Sequence, residues 1–470
     1  MSGNGLTRRG AIGGAVGAAA LATAGRGQAI RRRPNILFIM ADDLGYADIS
    51  CYGRPDYRTP AIDGLAAGGV RFLQAYANSA VCSATRTALM TGRYQYRLPV
   101  GLEEPVGVRD VGLPPSHPTL PSLLKAAGYG TTLIGKWHLG ALPTYSPLKS
   151  GYDHFWGFRG GGVDYFTHKY LGKLDLWDDD RLTDRPGYLT DLLGERALEV
   201  ITAYARTRTP FFVSLHFNAP HWPWEGPDDT AEARRLDAMG KPTALFDYDG
   251  GSQRTFAEMV KRLDTQVGRV LARLDELGLA DDTIVVFTSD NGGERYGNTW
   301  PFTGRKTELL EGGLRVPAVV RWPAAVPAGG TSDQVTISMD WLPTLLAAAG
   351  VAIASAFPSD GRDILPEIKA PGTAISERTL CWRYKSLDQQ ACRSGRWKYL
   401  KILKSEFLFD VVADPMERAN LKERMPDRFA ALKSTYDSWN RTMLPIDPAT
   451  QSHGFGANEL ADHFGVTPDL

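Results

Sequence analysis

Three strand-length apolar segments constrain the fold of this chain more than any other feature. Residues 34–40, 211–217 and 283–288 are nearly continuous apolar runs, which is typical of parallel strands buried on both faces. A long amphipathic pattern over residues 255–277 predicts a helix between the second run and the third. The other patterns of this part predict helices over 59–67 and 119–127 and strands over 70–76 and 131–134. Strands that alternate with helices predict an α/β fold, with a large mixed, mostly parallel sheet sandwiched by helices.

A change in composition predicts a boundary late in the chain. Residues 366–373 are rich in proline, glycine and charge, and short strand patterns with a helical pattern follow. The strands are expected over 380–384, 396–403 and 406–411, and the helix over 426–443. We therefore expect a smaller C-terminal subdomain over 374–470, an antiparallel sheet plus a helix, after a larger α/β domain over 34–365.

The first thirty residues differ from the rest. Thr7-Arg8-Arg9-Gly10 precedes a weakly apolar run rich in alanine and glycine over residues 11–24, too short to span a bilayer convincingly. We interpret residues 1–30 as an export signal of the twin-arginine type, which predicts a periplasmic or secreted protein; the alternative is a disordered tail. The chain has 53 Lys plus Arg and 53 Asp plus Glu, so its zero net charge points to neither nucleic acid nor stable membrane association.

A cysteine at the start of a short helical pattern is the first candidate functional residue. Residues 82–93 read Cys-Ser-Ala-Thr-Arg-Thr-Ala-Leu-Met-Thr-Gly-Arg, which places Arg86 one helical turn from Cys82. A helix N-terminus and a guanidinium together stabilise negative charge and would activate a nucleophile. The alternative is a cysteine that packs as a small buried hydrophobe.

Oxygen-bearing side chains follow two of the predicted strands. Asp42 and Asp43 come after the first strand, and Asp290 and Asn291 after the strand over 283–288. The carboxyl ends of parallel strands meet at one edge of a sheet, and like charges gathered there repel unless a cation lies among them. Oxygen ligands favour Ca²⁺ or Mg²⁺ over zinc. The alternative for each pair is an ordinary turn or helix cap.

Basic residues also follow predicted strands. Lys136 and His138 lie two residues apart in an extended segment and point the same way. His221 lies in a loop held by prolines, and Lys306 lies in the segment Gly-Arg-Lys-Thr over 304–307. Taken alone, each of these lysines is also compatible with an ordinary solvent-exposed position, and each histidine with a packing role in the core.

These motifs, in this order, resemble those of the formylglycine-dependent sulfatases, arylsulfatase-like members of the alkaline phosphatase superfamily. The cysteine segment resembles the family's Cys-x-Pro-x-Arg signature, with Ala84 where the family has proline. Segments 41–45, 135–140, 219–223 and 288–293 resemble further family blocks, as do the segments 304–317, 397–399 and 409–421. The resemblance therefore covers nearly all of the chain after residue 33.

The resemblance implies a role for each matched residue. Cys82 is expected to be oxidised to formylglycine by a formylglycine-generating enzyme, and its hydrated aldehyde is the nucleophile. Arg86 and Lys136 are expected to hold that diol, and His138 to take a proton from it so that aldehyde and sulfate are released. His221 and Lys306 are expected to bind sulfate oxygens, and one of them to protonate the leaving alkoxide. The metal ligands implied are Asp42, Asp43, Asp290, Asn291 and the modified Cys82, with Ca²⁺ favoured over Mg²⁺.

The expected function is therefore hydrolysis of a sulfate monoester, with a sulfated carbohydrate or an aryl sulfate as substrate. Trp137, Trp222, Trp224 and Trp300 lie in or beside the site loops and would suit a sugar ring or an aryl group, or else pack the loops. Two alternatives are a related phosphodiester or phosphonate monoester hydrolase, and a silent sulfate-ester binding protein with unmodified Cys82. Cys381 and Cys392 flank a predicted hairpin turn and could form a disulfide in an oxidising compartment.

Overall fold

The strands of the protein form one large sheet and several small ones. The structure is a computed structural model that describes residues 1, 33–102, 104, 110–246, 250–353, 355–450 and 452; the predicted export signal over 1–30 lies, except for Met1, outside these residues. The strands, numbered in chain order, are β1 (Asn35–Ala41), β2 (Val70–Phe72), β3 (Ala75–Tyr76), β4 (Gly130–Lys136), β5 (His154–Phe158), β6 (Lys169–Tyr170), β7 (Lys173–Leu174), β8 (Trp177–Asp178), β9 (Arg181–Leu182), β10 (Phe211–His216), β11 (Thr283–Ser289), β12 (Ala318–Arg321), β13 (Gly330–Ser332), β14 (Thr336–Ile337), β15 (Thr379–Tyr384), β16 (Gln389–Ser394), β17 (Trp397–Ile402) and β18 (Ser405–Asp410).

The large sheet is mixed, with a parallel centre. Its ten strands follow the order β13-β2-β12-β11-β1-β10-β4-β5-β8-β9. The five central strands, β11 to β5 in this order, pair in parallel, while β12 pairs antiparallel with both β11 and β2, and β8 with both β5 and β9. The three apolar runs of the sequence are the neighbouring strands β10, β1 and β11, which explains why both of their faces are apolar.

Helices cover both faces of this sheet. The α-helices are α1 (Pro60–Ala67), α2 (Cys82–Thr91), α3 (Leu120–Ala126), α4 (Leu189–Thr207), α5 (Thr230–Ala238), α6 (Gln253–Glu276), α7 (Glu311–Leu314), α8 (Trp341–Ala349), α9 (Leu365–Lys369) and α10 (Pro426–Asn440). Leu37 and Ile39 of β1 pack in a core with α1, α4 and α6. Ile36 and Phe38 point to the opposite core, with α2, α3 and α8. The predicted α/β sandwich is confirmed. Among the described residues, no helix combines the length and apolarity needed to cross a bilayer.

The predicted C-terminal antiparallel sheet is also confirmed. Strands β15 to β18 pair with their neighbours as an antiparallel meander, and α10 packs against β16 and β17. Cys381 and Cys392 are register partners in the first hairpin, with Sγ atoms 3.2 Å apart and both thiols free. The disulfide between them stays a prediction.

The structure differs locally from the sequence predictions. The single strand expected over 70–76 is split, because Ala75–Tyr76 leaves the large sheet and pairs with Thr336–Ile337. Residues Leu365–Lys369 form the short helix α9 at the start of the predicted boundary, and the division into two domains there stays a prediction. The sequence patterns did not predict the helices α4, α5, α7, α8 and α9, the strands β5, β12 and β16, or the two- and three-residue strands β6 to β9, β13 and β14.

A buried cluster of charges joins the C-terminal sheet to the large domain. Lys398 of β17 lies 3.0 Å from Glu311 Oε1 and 2.9 Å from Glu417 Oε1, and none of these three side chains is exposed. Arg315 Nε donates to Glu311 Oε2 at 2.7 Å, and Tyr76 Oη donates to the same oxygen. Burial raises the pKa of Glu311, but Lys398 and Arg315 outweigh it and hold that pKa far below its usual range. Glu311 is therefore ionised, and its charge is balanced across the subdomain boundary.

We predict that Lys398→Ala lowers the free energy of unfolding by about 3–5 kcal/mol, because it leaves Glu311 and Glu417 buried without their shared cation. Urea denaturation measures this change. The matched control is Lys433→Ala, which removes the half-exposed Lys433–Glu406 pair and should cost no more than about 1 kcal/mol. If both variants lost the same free energy of unfolding, the buried cluster would contribute no more to stability than an exposed ion pair, which would contradict this prediction.

Candidate active site

Four neighbouring strands of the large sheet deliver side chains to one point. β1 ends at Ala41 and is followed by Asp42 and Asp43, and β11 ends at Ser289 and is followed by Asp290. β4 ends on Lys136, and β10 lies between β4 and β1. Because all four strands run parallel, their carboxyl ends meet at one edge of the sheet, where open α/β sheets form their sites.

Each of the three carboxylates at this edge lies at hydrogen-bonding distance from a cation, and Asp42 Oδ1 also lies 3.7 Å from Arg86 Nη2. The ion pairs, each 2.7 Å long, are Lys136 Nζ with Asp42 Oδ2, Lys306 Nζ with Asp43 Oδ2, and Arg86 Nη2 with Asp290 Oδ2. All six residues are at most 5% exposed. Arg86 Nε donates a second bond to the same Asp290 oxygen at 3.0 Å, so two N–H groups of the guanidinium converge on that oxygen. The sequence-predicted cations and carboxylates therefore form one buried, charge-balanced array.

Cys82 lies inside this array as the first residue of α2. Its sulfur and ligand atoms of Asp42, Asp43 and His221 all lie within 4.8 Å of one another. Burial raises the pKa of the Cys82 thiol to about 12, although Lys136 and Lys306 oppose that shift. An unmodified Cys82 is therefore protonated at neutral pH, which speaks against the activated thiolate considered from the sequence.

Two oxygen atoms at this point are buried and unsatisfied. Asp42 Oδ1 and Asn291 Oδ1 accept no hydrogen bond from any residue that the structure describes. Asn291 Nδ2 donates to Asp43 Oδ1 at 2.8 Å, which fixes the amide with its oxygen turned away from that bond. Burial raises the pKa of Asp42 well above its usual value, and the Asp290 charge raises it further. Crowded carboxylates and unsatisfied oxygens are what a hard divalent cation requires, so the residues present fit one.

His221 is oriented by its two neighbours. Its Nδ1 lies 2.7 Å from the carbonyl oxygen of Trp222, and its Nε2 lies 3.3 Å from Lys306 Nζ. A carbonyl only accepts, so Nδ1 carries the proton and Nε2 accepts from Lys306. Burial lowers the pKa of His221 well below 6.5, and the charge of Lys306 lowers it further. His221 is a neutral imidazole beside an ammonium group.

His138 is buried with both ring nitrogens unsatisfied among the described residues. It follows the last residues of β4, and its φ of 54° turns the chain sharply after Lys136. Burial lowers the pKa of His138 well below 6.5, and Lys136 and Arg86 lower it further. A neutral, unsatisfied imidazole is free to accept a proton.

Glycines make room for both histidines. A Cβ added to Gly161 would lie 2.9 Å from His138 Cε1, and one added to Gly162 would lie 2.9 Å from His221 Cε1. The backbone of this glycine-rich loop therefore packs directly on the two imidazoles.

Two further groups at the site were not assigned a role from the sequence. His216, the last residue of β10, places Nδ1 3.3 Å from Arg86 Nη1 and 3.2 Å from the Lys136 carbonyl oxygen. Its position at a strand end beside β1 and β4 was the signal that could have found it. Glu294 is buried near Lys306 and Asp43, and burial raises its pKa to about 7, with Lys306 opposing the shift.

The comparisons with known proteins agree with this arrangement. Residues 34–351 match the family model described as Sulfatase. N-acetylgalactosamine-6-sulfatase of Canis lupus familiaris is 32% identical over 409 residues, which cover 80% of this chain and 74% of that protein. Steryl-sulfatase of Homo sapiens is 34% identical, covering 71% of this chain and 69% of that protein. The crystal structure of Ps i-CgsB in complex with k-i-k-neocarrahexaose has a TM-score of 0.78 and 30% identity, covering 88% of this chain and 94% of that one.

The fold is that of the alkaline phosphatase superfamily. Within it, this chain belongs to the sulfatase family, whose members hydrolyse sulfate esters.

We predict that Ca²⁺ stabilises the protein through this site. At a free concentration 100 times its Kd, one bound ion adds about 2.7 kcal/mol to the free energy of unfolding, seen as a higher Tm. Asp290→Asn should shrink the calcium-dependent rise in Tm, because it removes one carboxylate from the array. The control is Asp48→Asn, a buried carboxylate paired with Arg54, which should keep the full rise. An equal rise in both variants would place the ion elsewhere.

Proposed function

We propose that this sulfatase hydrolyses a carbohydrate sulfate monoester with formylglycine derived from Cys82 and one divalent cation, Ca²⁺ in preference to Mg²⁺. The observation that carries the proposal is the convergence of Cys82 with ligand atoms of Asp42, Asp43 and His221 within 4.8 Å. Asp42, Asp43, Asp290 and Asn291 would hold the cation beside residue 82. When present, the hydrated aldehyde supplies the attacking hydroxyl and the cation withdraws charge from the sulfate oxygens.

The chain's own cations would hold the reacting groups, with Arg86 and Lys136 at the diol of residue 82 and Lys306 at the sulfate oxygens. Arg86, Lys136 and Lys306 are buried, and each ends on a carboxylate at the same point. Burial lowers the pKa of Lys306, but Asp43 and its neighbours outweigh this and raise that pKa well above its usual value. Lys306 therefore stays charged and can donate hydrogen bonds to an anionic ester in a site closed to water.

Lys306 and His221 would also act on the leaving group. Cleavage of a sulfate ester builds negative charge on the leaving oxygen, and a nearby ammonium group stabilises that charge or gives it a proton. The 3.3 Å contact between Lys306 Nζ and His221 Nε2 supports their acting as a pair. His138, neutral and unsatisfied, would take the proton from the second hydroxyl at residue 82 when sulfate is released.

The substrate class rests on the relatives and on aromatic groups beside Lys306. Two of the compared proteins carry carbohydrates in their names, an N-acetylgalactosamine 6-sulfatase and a protein solved with a neocarrahexaose. Lys306 Nζ lies 5.8 Å from the ring centroid of Trp222, which gives the leaving-group side a flat apolar wall. Because the chain is also similar to a steryl-sulfatase, an aryl or steryl sulfate is the second candidate substrate.

The proposal also includes conversion of Cys82 to formylglycine and export of the folded protein. A formylglycine-generating enzyme would convert Cys82 before export, and the Arg8-Arg9 pair with the apolar run over 11–24 supports the twin-arginine route, which carries folded proteins. The protein would then act in the periplasm or outside the cell. Residues 34–365 would form the catalytic domain, and residues 374–470 the C-terminal subdomain.

We predict that the peptide carrying Cys82 loses the mass that matches replacement of its thiol by an aldehyde oxygen when the chain is produced with a formylglycine-generating enzyme. Intact peptide mass measures the conversion, and Cys82→Ala should show neither the shift nor turnover. Ala84→Pro restores the family's motif and is the matched variant for conversion efficiency. An unshifted Cys82 peptide in a protein that still turns over sulfate esters would overturn the proposed nucleophile.

We predict that kcat/KM is higher for p-nitrophenyl sulfate than for p-nitrophenyl phosphate or a p-nitrophenyl phosphonate. This expectation rests on the sulfatase family to which the chain belongs and on its similarity to named sulfatases. Sulfated oligosaccharides then test the substrate class by sulfate release. A marked preference for the phosphonate would favour the alternative phosphonate monoester hydrolase.

A further inference from the structure

Gln389, at the start of β16 in the C-terminal sheet, binds the chain segment that carries Lys306. Its Nε2 donates to the carbonyl oxygen of Thr307 at 2.8 Å, and its Oε1 accepts from the backbone N–H of Leu309 at 2.8 Å. Gln389 is 1% exposed. Its amide therefore pairs with two backbone groups on either side of residue 308, as a peptide group of a neighbouring strand would.

Thr307, the residue after Lys306, has an unfavourable backbone conformation. Its φ is 73°, in the left-handed region that a β-branched residue strongly disfavours. Such a conformation persists only where surrounding contacts impose it. Thr307 N–H donates to the carbonyl oxygen of Ala80 at 2.9 Å, and its own carbonyl accepts from Gln389. The segment is thus held between the loop that precedes Cys82 and the C-terminal sheet.

The backbone contacts bear directly on the placement of Lys306. Lys306 N–H donates to the carbonyl oxygen of Gly293 at 3.0 Å, and its Nζ contacts Asp43 Oδ2 at 2.7 Å and His221 Nε2 at 3.3 Å. If Thr307 relaxed to negative φ, the backbone would turn directly after Lys306, and these side-chain distances would change. A shift of about 1 Å at a catalytic group can cost roughly 100-fold in rate.

We infer that Gln389 is a positioning residue for Lys306: it holds Thr307 at positive φ and so makes the C-terminal sheet part of the active site. The inference rests on the proposed role of Lys306 at the leaving oxygen. Gln389 touches no reacting group; it acts through the backbone of residues 307–309.

The first test compares Gln389→Ala with a control of the same kind. Gln334 is also 1% exposed, and its amide accepts from Ser376 N–H and donates to the Ala374 carbonyl oxygen, without contact with residues 306–309. We expect Gln389→Ala to lower kcat by roughly 10- to 100-fold, and Gln334→Ala to leave kcat near wild type. Melting curves check that both variants fold. Equal kcat in folded Gln389→Ala and Gln334→Ala would overturn the inference.

The second test uses the leaving group. Lys306 acts on the leaving oxygen, so its displacement should cost more for phenyl sulfate, whose phenol is a poor leaving group, than for p-nitrophenyl sulfate. We expect the loss in Gln389→Ala to grow as the pKa of the leaving phenol rises. A loss of the same size for both esters would mean general damage to the fold and would overturn the inference.

The third test restores the backbone. Glycine adopts positive φ without penalty, whereas alanine does not. We expect Thr307→Gly to recover most of the kcat lost in Gln389→Ala, and Thr307→Ala to recover little. Equal recovery by glycine and alanine, or none by glycine, would contradict a role for Gln389 in holding the conformation of Thr307.

The variant Lys306→Ala distinguishes a failure of this inference from a failure of the proposed function on which it rests. If Lys306→Ala keeps wild-type turnover of phenyl sulfate, the proposed role of Lys306 is wrong and the inference falls with it. If Lys306→Ala loses that turnover while folded Gln389→Ala keeps it, the proposed function stands and the positioning role of Gln389 is wrong.

Discussion

The mutual neutralisation of buried charges is the constraint on which the structure depends. A single carboxylate or ammonium group taken out of water costs several kcal/mol unless it is paired and hydrogen-bonded. Asp42, Asp43 and Asp290 each meet one cation at 2.7 Å, and the cations come from α2, from the end of β4 and from the loop at residue 306. The parallel centre of the sheet brings these segments together. The topology thus places each carboxylate beside a cation, and this pairing lowers the free-energy cost of burying the charges.

The segment from Gly292 to Arg315 joins this array to the rest of the molecule. A Cβ on Gly292 would lie 1.9 Å from the Gly312 carbonyl oxygen, so the loop after Asp290 packs backbone to backbone on α7. Glu311, in the same short helix, is held by Lys398 of the C-terminal sheet. The buried Glu311 cluster therefore supports the loop that carries Asp290 and Asn291, while Gln389 binds the part that carries Lys306. The C-terminal sheet braces one continuous segment at two places.

The sequence predicted the core of the fold because buried parallel strands leave a strong local signal. β1, β10 and β11 could be recognised as apolar runs, and the residues after them could be placed at one edge by topology alone. The split after Phe72 could not be predicted, since it depends on the distant strand Thr336–Ile337. Resemblance supplied the roles proposed for His138, His221 and Lys306. The contacts of His216 with Arg86 and of Gln389 with Thr307 could not be predicted, because they join residues that are far apart in the chain.

The same geometry predicts that Ala84 bears on the proposed maturation of Cys82 more than on catalysis. Cys82 and Arg86 lie one turn apart and face the carboxylates, whereas Ala84 lies two residues from each and packs with Val81 and Ala88 in the core shared with the C-terminal sheet. Position 84 is also in the first turn of α2, where proline and alanine are both tolerated because the backbone N–H groups there have no partner within the helix. Replacing the family's proline with alanine therefore leaves the reacting face of α2 unchanged. Under the proposed maturation, we expect its effect to be on how a formylglycine-generating enzyme recognises the segment around Cys82.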